Sequence, residues 1–228
     1  LALTSDITVE QPSTIMAGSV PATVFTLNGT ITGNATLTKT SVGILRINST
    51  ATSFKGNWIV TEGKLQVRSA TGLGVCGVQI LNEARLDIEV AGASIYSLML
   101  ANTAGVDLDQ NLNVNVAVFG TENILSGAFK NANYPTYIGS TGTLNVSNSL
   151  VSLSGATTFC PGNNLTLTSS SGASYIWKNN ATQVGTSAIY TTSTTGSYIV
   201  DATSVIGCKV TSAPVITILT AAPTITIT

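Results

Sequence analysis

This chain of 228 residues contains no histidine, and only 8% of its residues are charged, against roughly 25% in an ordinary globular protein. Each scarcity excludes something. Without histidine the commonest general base is missing, and neither a Ser-His-Asp nor a Cys-His centre can assemble within the chain. The three cysteines (Cys76, Cys160 and Cys208) have no zinc-like spacing, and no histidine exists to complete such a set. Nine Lys and Arg in all, never clustered, supply no basic stripe for nucleic acid or an anionic membrane surface. No apolar run reaches the ~18 residues that mark a membrane-spanning helix. Aromatics are sparse at 6%. Apolar residues stand at 43%, so Thr, Ser, Asn and Gly have taken the place of charge. Thr favours strands, and Gly, Asn and Ser favour turns.

Against that background a short cassette recurs: a small residue, a spacer, Leu, a spacer, then Val or Ile. It reads Gly43-Ile44-Leu45-Arg46-Ile47, then Gly63-Lys64-Leu65-Gln66-Val67, then Ala84-Arg85-Leu86-Asp87-Ile88. The leucines lie 20 and 21 residues apart. A looser copy, Val106-Asp107-Leu108-Asp109, puts Leu108 22 residues further on, and Gly142-Thr143-Leu144-Asn145-Val146 closes the series. A strand cassette with a period of 20-odd residues is the mark of a solenoid, in which no unit buries its own apolar side and stacked neighbours share one core. Two or three short strands per unit, cornered by Gly and Asn, predict a parallel β-helix over residues 1–150 with about six coils. The stretch from Gly127 to Tyr137 is irregular, and is expected either to seal the end of the helix or to project as a binding loop. The chain's first residues and its last, Ala222 to Thr228, read as parts of neighbouring strands, which predicts a piece of a longer protein.

Part of this repeat resembles a known family. Gly29-Thr30-Ile31-Thr32-Gly33-Asn34-Ala35-Thr36-Leu37-Thr38-Lys39-Thr40, the Gly43 cassette, and Phe54-Lys55-Gly56-Asn57-Trp58-Ile59-Val60-Thr61-Glu62-Gly63-Lys64-Leu65-Gln66-Val67 are similar to the passenger-associated repeat of bacterial autotransporters. Ser41 and Asn48 stand where that family prefers Gly. The resemblance implies a right-handed β-helix at a cell surface and says little about ligand.

Beyond residue 150 the pattern changes. Short strand-like runs recur every 8–12 residues or so, around Leu165-Thr166-Leu167-Thr168, Tyr175-Ile176-Trp177, Ser197-Tyr198-Ile199-Val200, Lys209-Val210 and Val215-Ile216-Thr217-Ile218, which predicts an antiparallel β-sandwich over 151–219 with Trp177 in its core. Residues 220–228 are expected to be a linker or the first strand of a following module. The frame of Cys160-Pro161-Gly162, Leu165-Thr166, Tyr175-Ile176-Trp177, Gly196-Ser197-Tyr198 and Gly207-Cys208 resembles the immunoglobulin-like or PKD-like modules of large secreted proteins of Bacteroidetes. Tyr198 resembles the tyrosine of the sixth strand in such modules. The resemblance places Cys160 and Cys208 in one module, where a Cys160–Cys208 bridge is expected to tie chain entry to the last hairpin in an oxidising, extracytoplasmic setting. Cys76, among apolar residues and Gly, is expected to be a buried, inert thiol.

Few residues remain for chemistry. Glu62, Glu83, Asp87 and Glu89 fall on adjacent coils, but Asp87 and Glu89 alternate with inward Leu86 and Ile88 and read as solvated surface. Asp107 and Asp109 lack the spacing of an EF-hand or RTX calcium loop. No cofactor, no metal and no catalysis are expected. Trp58, Tyr134 and Tyr137, with Tyr96, are the candidate stacking platforms for a sugar, should they be exposed. The resemblances imply a secreted, cell-surface stalk or filament of an adhesin, and the one to Bacteroidetes modules implies export by the type IX system and a connection with gliding or attachment. Its expected partners are other modules of the same chain, surface glycans, or the secretion and motility machinery. The alternative is a glycan-binding or accessory module of a polysaccharide-degrading enzyme.

Overall fold

The computed structural model describes residues 1–49 and 53–221, and all regular secondary structure among them is β-strand. The chain divides into two compact units, Leu1–Ser149 and Leu150–Thr228.

The first unit is a β-solenoid of about six turns. One sheet stacks Ala2–Leu3, Val24–Leu27, Ile44–Ile47, Lys64–Val67, Arg85–Ile88, Gly105–Leu108 and Ile138–Gly139, every neighbour parallel. A second stacks Ser13–Met16, Leu37–Thr40, Trp58–Val60, Gly77–Ile80, Ala93–Leu100, Leu112–Phe119 and Leu144–Val146, again parallel. A short third pair, Ile7–Val9 with Ile31–Gly33, links them in the first two coils.

The cassette explains the first sheet. Leu45, Leu65 and Leu86 are direct register partners, and all are fully buried. Ile47, Val67, Ile88 and Leu108 form the next inward column. Each such side chain gains roughly 1.5–3 kcal/mol by burial, and the stack shares that gain along its length. The small first residue has a steric cause. A Cβ on Gly43 would lie 1.8 Å from the carbonyl oxygen of Ala17, one coil back. Gly63 has φ +65°, and its Cβ would meet the Gly43 carbonyl oxygen at 2.5 Å. Successive corners touch there, so only a residue without a side chain fits.

Two members of the series sit elsewhere than the cassette predicts. Val106, not Leu108, is the partner of Leu86, because Leu108 pairs with Ile88. Leu144–Val146 belongs to the second sheet, on Leu112–Val114, while Ile138 continues the Leu column. Both sheets need an apolar residue at alternate positions, so an apolar-x-apolar triplet does not reveal which sheet it joins.

The irregular stretch is an excursion that ends the stack. Glu122–Asn123 folds back antiparallel on Leu112–Phe119, and Gly127–Phe129 runs antiparallel along Leu144–Val146 as the last strand of the second sheet. Gly127–Phe129 thereby takes the side of Leu144–Val146 on which a further parallel coil would pair.

The second unit has two sheets. Val151–Leu153, Leu165–Ser169 and Ile189–Thr192 form an antiparallel three-stranded sheet. The other has six strands: Thr158–Phe159, Val215–Leu219, Gly196–Thr203, Ser174–Asn179 and Thr182–Gly185 in that order, with Lys209–Thr211 also on Gly196–Thr203. All its pairings are antiparallel except that of Thr158–Phe159 with Val215–Leu219. Trp177 is fully buried, and Tyr190 stacks on it at 6.1 Å while lying 5.7 Å from Tyr198, so an aromatic row connects the two sheets. The expected strand at residues 222–228 lies outside the described residues.

Candidate functional site

The outer face of the cassette sheet gathers half of what little charge the solenoid carries. The spacers of the cassette point away from the core, and the 20-residue period stacks them into columns. Arg46, Gln66, Asp87 and Asp107 are successive register partners. Arg46 Nε donates to Gln66 Oε1 at 2.6 Å, and Gln66 Nε2 donates to Asp87 Oδ2 at 3.1 Å and to Glu89. Arg68 Nε reaches Glu89 Oε2 at 2.6 Å. Arg85 holds Asp107 with both Nε, at 2.8 Å, and Nη2. Lys64 Nζ lies 3.3 Å from Asp87 and 3.5 Å from Asp107, so it spans two coil steps. Burial pushes the Asp107 carboxyl up, but the hydrogen bond and charge of Arg85, with the charge of Lys64, outweigh it and hold the group below the usual carboxylate range. The same pairing raises Arg85 above its ordinary value, against the opposing effect of burial.

Three carboxylates, Asp87, Glu89 and Asp109, converge to within 4.8 Å of one another. This is the group among the described residues with the donors to hold a cation. Asp87 is also engaged by Lys64 and Gln66, and Glu89 by Arg68, so much of its charge is already balanced. The sequence reading had Asp87 and Glu89 on the outward side, and they are there, although Asp87 is only 5% exposed because its neighbours cover it. It set Asp109 beside Asp107, whereas Asp107 is taken by Arg85 and Asp109 joins the acidic group. The 20-residue step that pairs Asp87 with Asp107 and Ile88 with Leu108 was the signal that brings Asp109 to the Glu89 end of the preceding strand. Glu62 and Glu83 are exposed and are not part of the group.

The candidate aromatic platforms lie differently. Trp58 is fully buried, its indole N–H donating to the Leu73 carbonyl oxygen at 3.1 Å and its ring edge-on to Phe54 at 5.8 Å. It belongs to the core, not to a sugar platform, because it occupies the inward column of Leu37, Val78 and Leu98. Tyr134 and Tyr137 are half-buried against Phe119, at 5.3 Å edge-on and 5.0 Å stacked, and Phe129 closes on Tyr134 at 5.5 Å. The Tyr134 hydroxyl donates to Glu122 Oε1 at 3.1 Å, and burial and that carboxylate raise its pKa. Tyr96 is also half-buried.

The cysteines correct an expectation. Cys160 is free and exposed, so it does not bridge to Cys208. Cys208 and Cys76 are the disulfide-bonded residues, and Cys76 is therefore not the inert thiol its apolar surroundings predict. Cys160 lies at the second unit's surface, its Sγ 3.7 Å from Thr220 Oγ1. The resemblance implied a bridge through Cys160, and that thiol is free.

One buried cation escaped the sequence reading. Lys39 occupies an inward column between Ile15 and Val60 and is fully buried. Its ammonium donates to the carbonyl oxygens of Gly43 and Glu62, both at 2.6 Å, and of Ser41. Burial lowers its pKa to about 8, against the upward pull of the Glu62 charge. Lys39 lies two residues from the inward Leu37, so strand alternation already sets both on the core face, a signal that its charge masked.

No protein-family model matches this chain, and neither a curated protein nor a solved structure matches it.

Proposed function

We propose that this chain is a structural and adhesive segment of a large secreted bacterial cell-surface protein: a stalk built from a right-handed parallel β-helix followed by an immunoglobulin-like sandwich, without catalysis. The observation that carries the reading is where the polar groups go. Arg46, Arg68 and Arg85 each bond to a side chain one coil on, and Lys64 reaches over two coil steps. Asn113 and Asn115 accept from Asn145 and Asn148 at 2.9 and 2.6 Å, and Asn28 accepts from Asn48 at 3.1 Å. Single exposed pairs are worth ~0–1 kcal/mol each, but here they repeat along a lattice of strands and hold neighbouring coils in register. Side chains spent on coil-to-coil bonds are poorly placed to hold a ligand, and a stack that is zipped on its outside suits an element that must resist unravelling. The resemblances to autotransporter and Bacteroidetes modules extend the proposal to export by the type IX system and to gliding or attachment. The glycan-binding alternative has less support, since Trp58 is in the core and Tyr134 and Tyr137 pack on Phe119.

A stalk exposed outside a cell must survive proteases in its native state. Native-state thermolysin digestion tests this: the reading expects residues 53–149 to be cut only as fast as global unfolding permits. Rapid cleavage between coils under native conditions would contradict it.

A further inference from the structure

The two ends of the solenoid are built differently. At the far end Gly127–Phe129 runs antiparallel along Leu144–Val146, and Phe119, Phe129, Tyr134 and Tyr137 close over it. At the near end, among the described residues of this unit, nothing comparable covers the first coil. In a parallel ladder successive residues turn their backbone groups to opposite neighbours. The carbonyls of Leu1 and Leu3 accept from Thr26 and Asn28 of the second coil at 2.9 and 2.8 Å. The amides of Ile7 and Ser13 donate into that coil at 2.8 and 3.0 Å, to Thr30 and Thr36. It follows that Ala2, Thr8, Thr14 and Met16 turn their backbone groups the other way. The side chains agree. Leu3, Ile7 and Ile15 head the inward columns that continue as Leu27, Ile31 and Lys39. Those three followers are at most 1% exposed, whereas Leu3, Ile7 and Ile15 are only half-buried, with Leu1 91% and Met16 74% exposed.

We infer that the first coil is a docking edge for one further parallel coil of this same repeat, which would pair with Ala2–Leu3, Ile7–Val9 and Ser13–Met16 and complete the burial of Leu3, Ile7 and Ile15. The occupant follows from continuity. Every step between successive coils is parallel, from Ala2–Leu3 to Ile138–Gly139 in one long sheet and from Ser13–Met16 to Leu144–Val146 in the other, and the open edge presents the same alternation to the next position. Unpaired, half-apolar edges are otherwise shielded in natural proteins, as the far end is here. This inference rests on the coil lattice and stands or falls independently of the stalk reading.

The test adds such a coil. A copy of residues 24–44 fused ahead of Leu1 keeps the 20-residue step that separates Val24–Leu27 from Ile44–Ile47, and it sets the equivalents of Leu27 and Ile31 over Leu3 and Ile7. Hydrogen exchange of the Thr8, Thr14 and Met16 amides is expected to slow by about tenfold or more relative to the unfused chain. A second fusion, with the Leu27 and Ile31 equivalents of the added coil changed to Asp, is expected to leave those amides fast. Unchanged exchange in the first fusion overturns the inference, as does equal protection in the second. Sedimentation of the unfused chain as a dimer, with the same amides protected in proportion to concentration, also overturns it by making a second copy the occupant.

Discussion

The ammonium of Lys39 donates to the carbonyl oxygen of Glu62 at 2.6 Å, so a single buried cation joins one coil to the next. It also ties down the Gly43 corner, where the coils approach too closely for any side chain. Lys39→Met keeps the apolar stem and removes the donor. Buried carbonyls without a partner cost ~1–3 kcal/mol, and the variant is expected to lose about 2 kcal/mol at pH 7 in denaturant unfolding. The pH dependence has a definite sign. The folded-state pKa of about 8 lies below the ordinary lysine value, so the unfolded chain holds this proton more tightly. Wild type therefore gains stability relative to Lys39→Met as pH rises from about 8 to ~10.4. A gap that narrows over that window would contradict the placement of Lys39.

Asp107 behaves in the opposite way. Its carboxyl is held below the usual range by Arg85 and Lys64 despite burial. A depressed carboxylate contributes stability above the unfolded value of ~3.9, and loses it as pH falls through the folded value. Asp107→Asn is expected to cost about 1 kcal/mol at pH 7, the scale of a partly exposed pair. Its stability should converge with that of wild type as pH falls through the lowered folded value. Equal stability of the two at pH 7 would show that the outer-face pairs do not hold the coils.

Trp58→Ala empties the largest side chain from the solenoid core. Such truncations typically cost 3–5 kcal/mol, and here the variant also leaves the Leu73 carbonyl oxygen without its indole donor. A large drop in thermal midpoint is expected. A variant as stable as wild type would return Trp58 to the surface.

The Tyr198 hydroxyl lies 2.6 Å from Thr192 Oγ1 and 2.8 Å from Thr194 Oγ1, and accepts from Asn179 Nδ2 at 3.1 Å. Tyr198→Phe keeps the ring and leaves those partners short of one bond, at an expected cost of about 1–2 kcal/mol to the second unit. No change would mean that the hydroxyl network is slack.

Thiol titration separates the cysteine assignments. The native chain is expected to show one reactive thiol, Cys160, and the reduced, unfolded chain three. Zero in the native chain would restore a bridge through Cys160.

These residues also mark what the sequence made legible. The coil lattice was readable because Leu45, Leu65 and Leu86 repeat at the 20- and 21-residue steps of a stacked coil. The outward run Arg46, Gln66 and Asp87 followed from the same alternation. What escaped depended on contacts the period does not carry. Lys39 sits in an inward column because backbone carbonyls of Ser41, Gly43 and Glu62 happen to converge there. Leu144 has the cassette but lies in the other sheet, because the excursion after Phe119 shifts the phase of the repeat. Cys160 shares a module with Cys208 and yet is free, since proximity in sequence does not decide which thiols meet. The candidate site was half-visible: Asp87 and Glu89 were placed outward, while the approach of Asp109 needed the coil step applied once more.

The central claim is that this segment is a stalk and not itself a glycan-binding module. A glycan array probed with the folded chain, with Tyr134→Ala beside it, tests that most directly. The account predicts no specific retention by either protein. Specific binding by the wild type that disappears in Tyr134→Ala would contradict it, and would make the aromatic end of the solenoid a binding site.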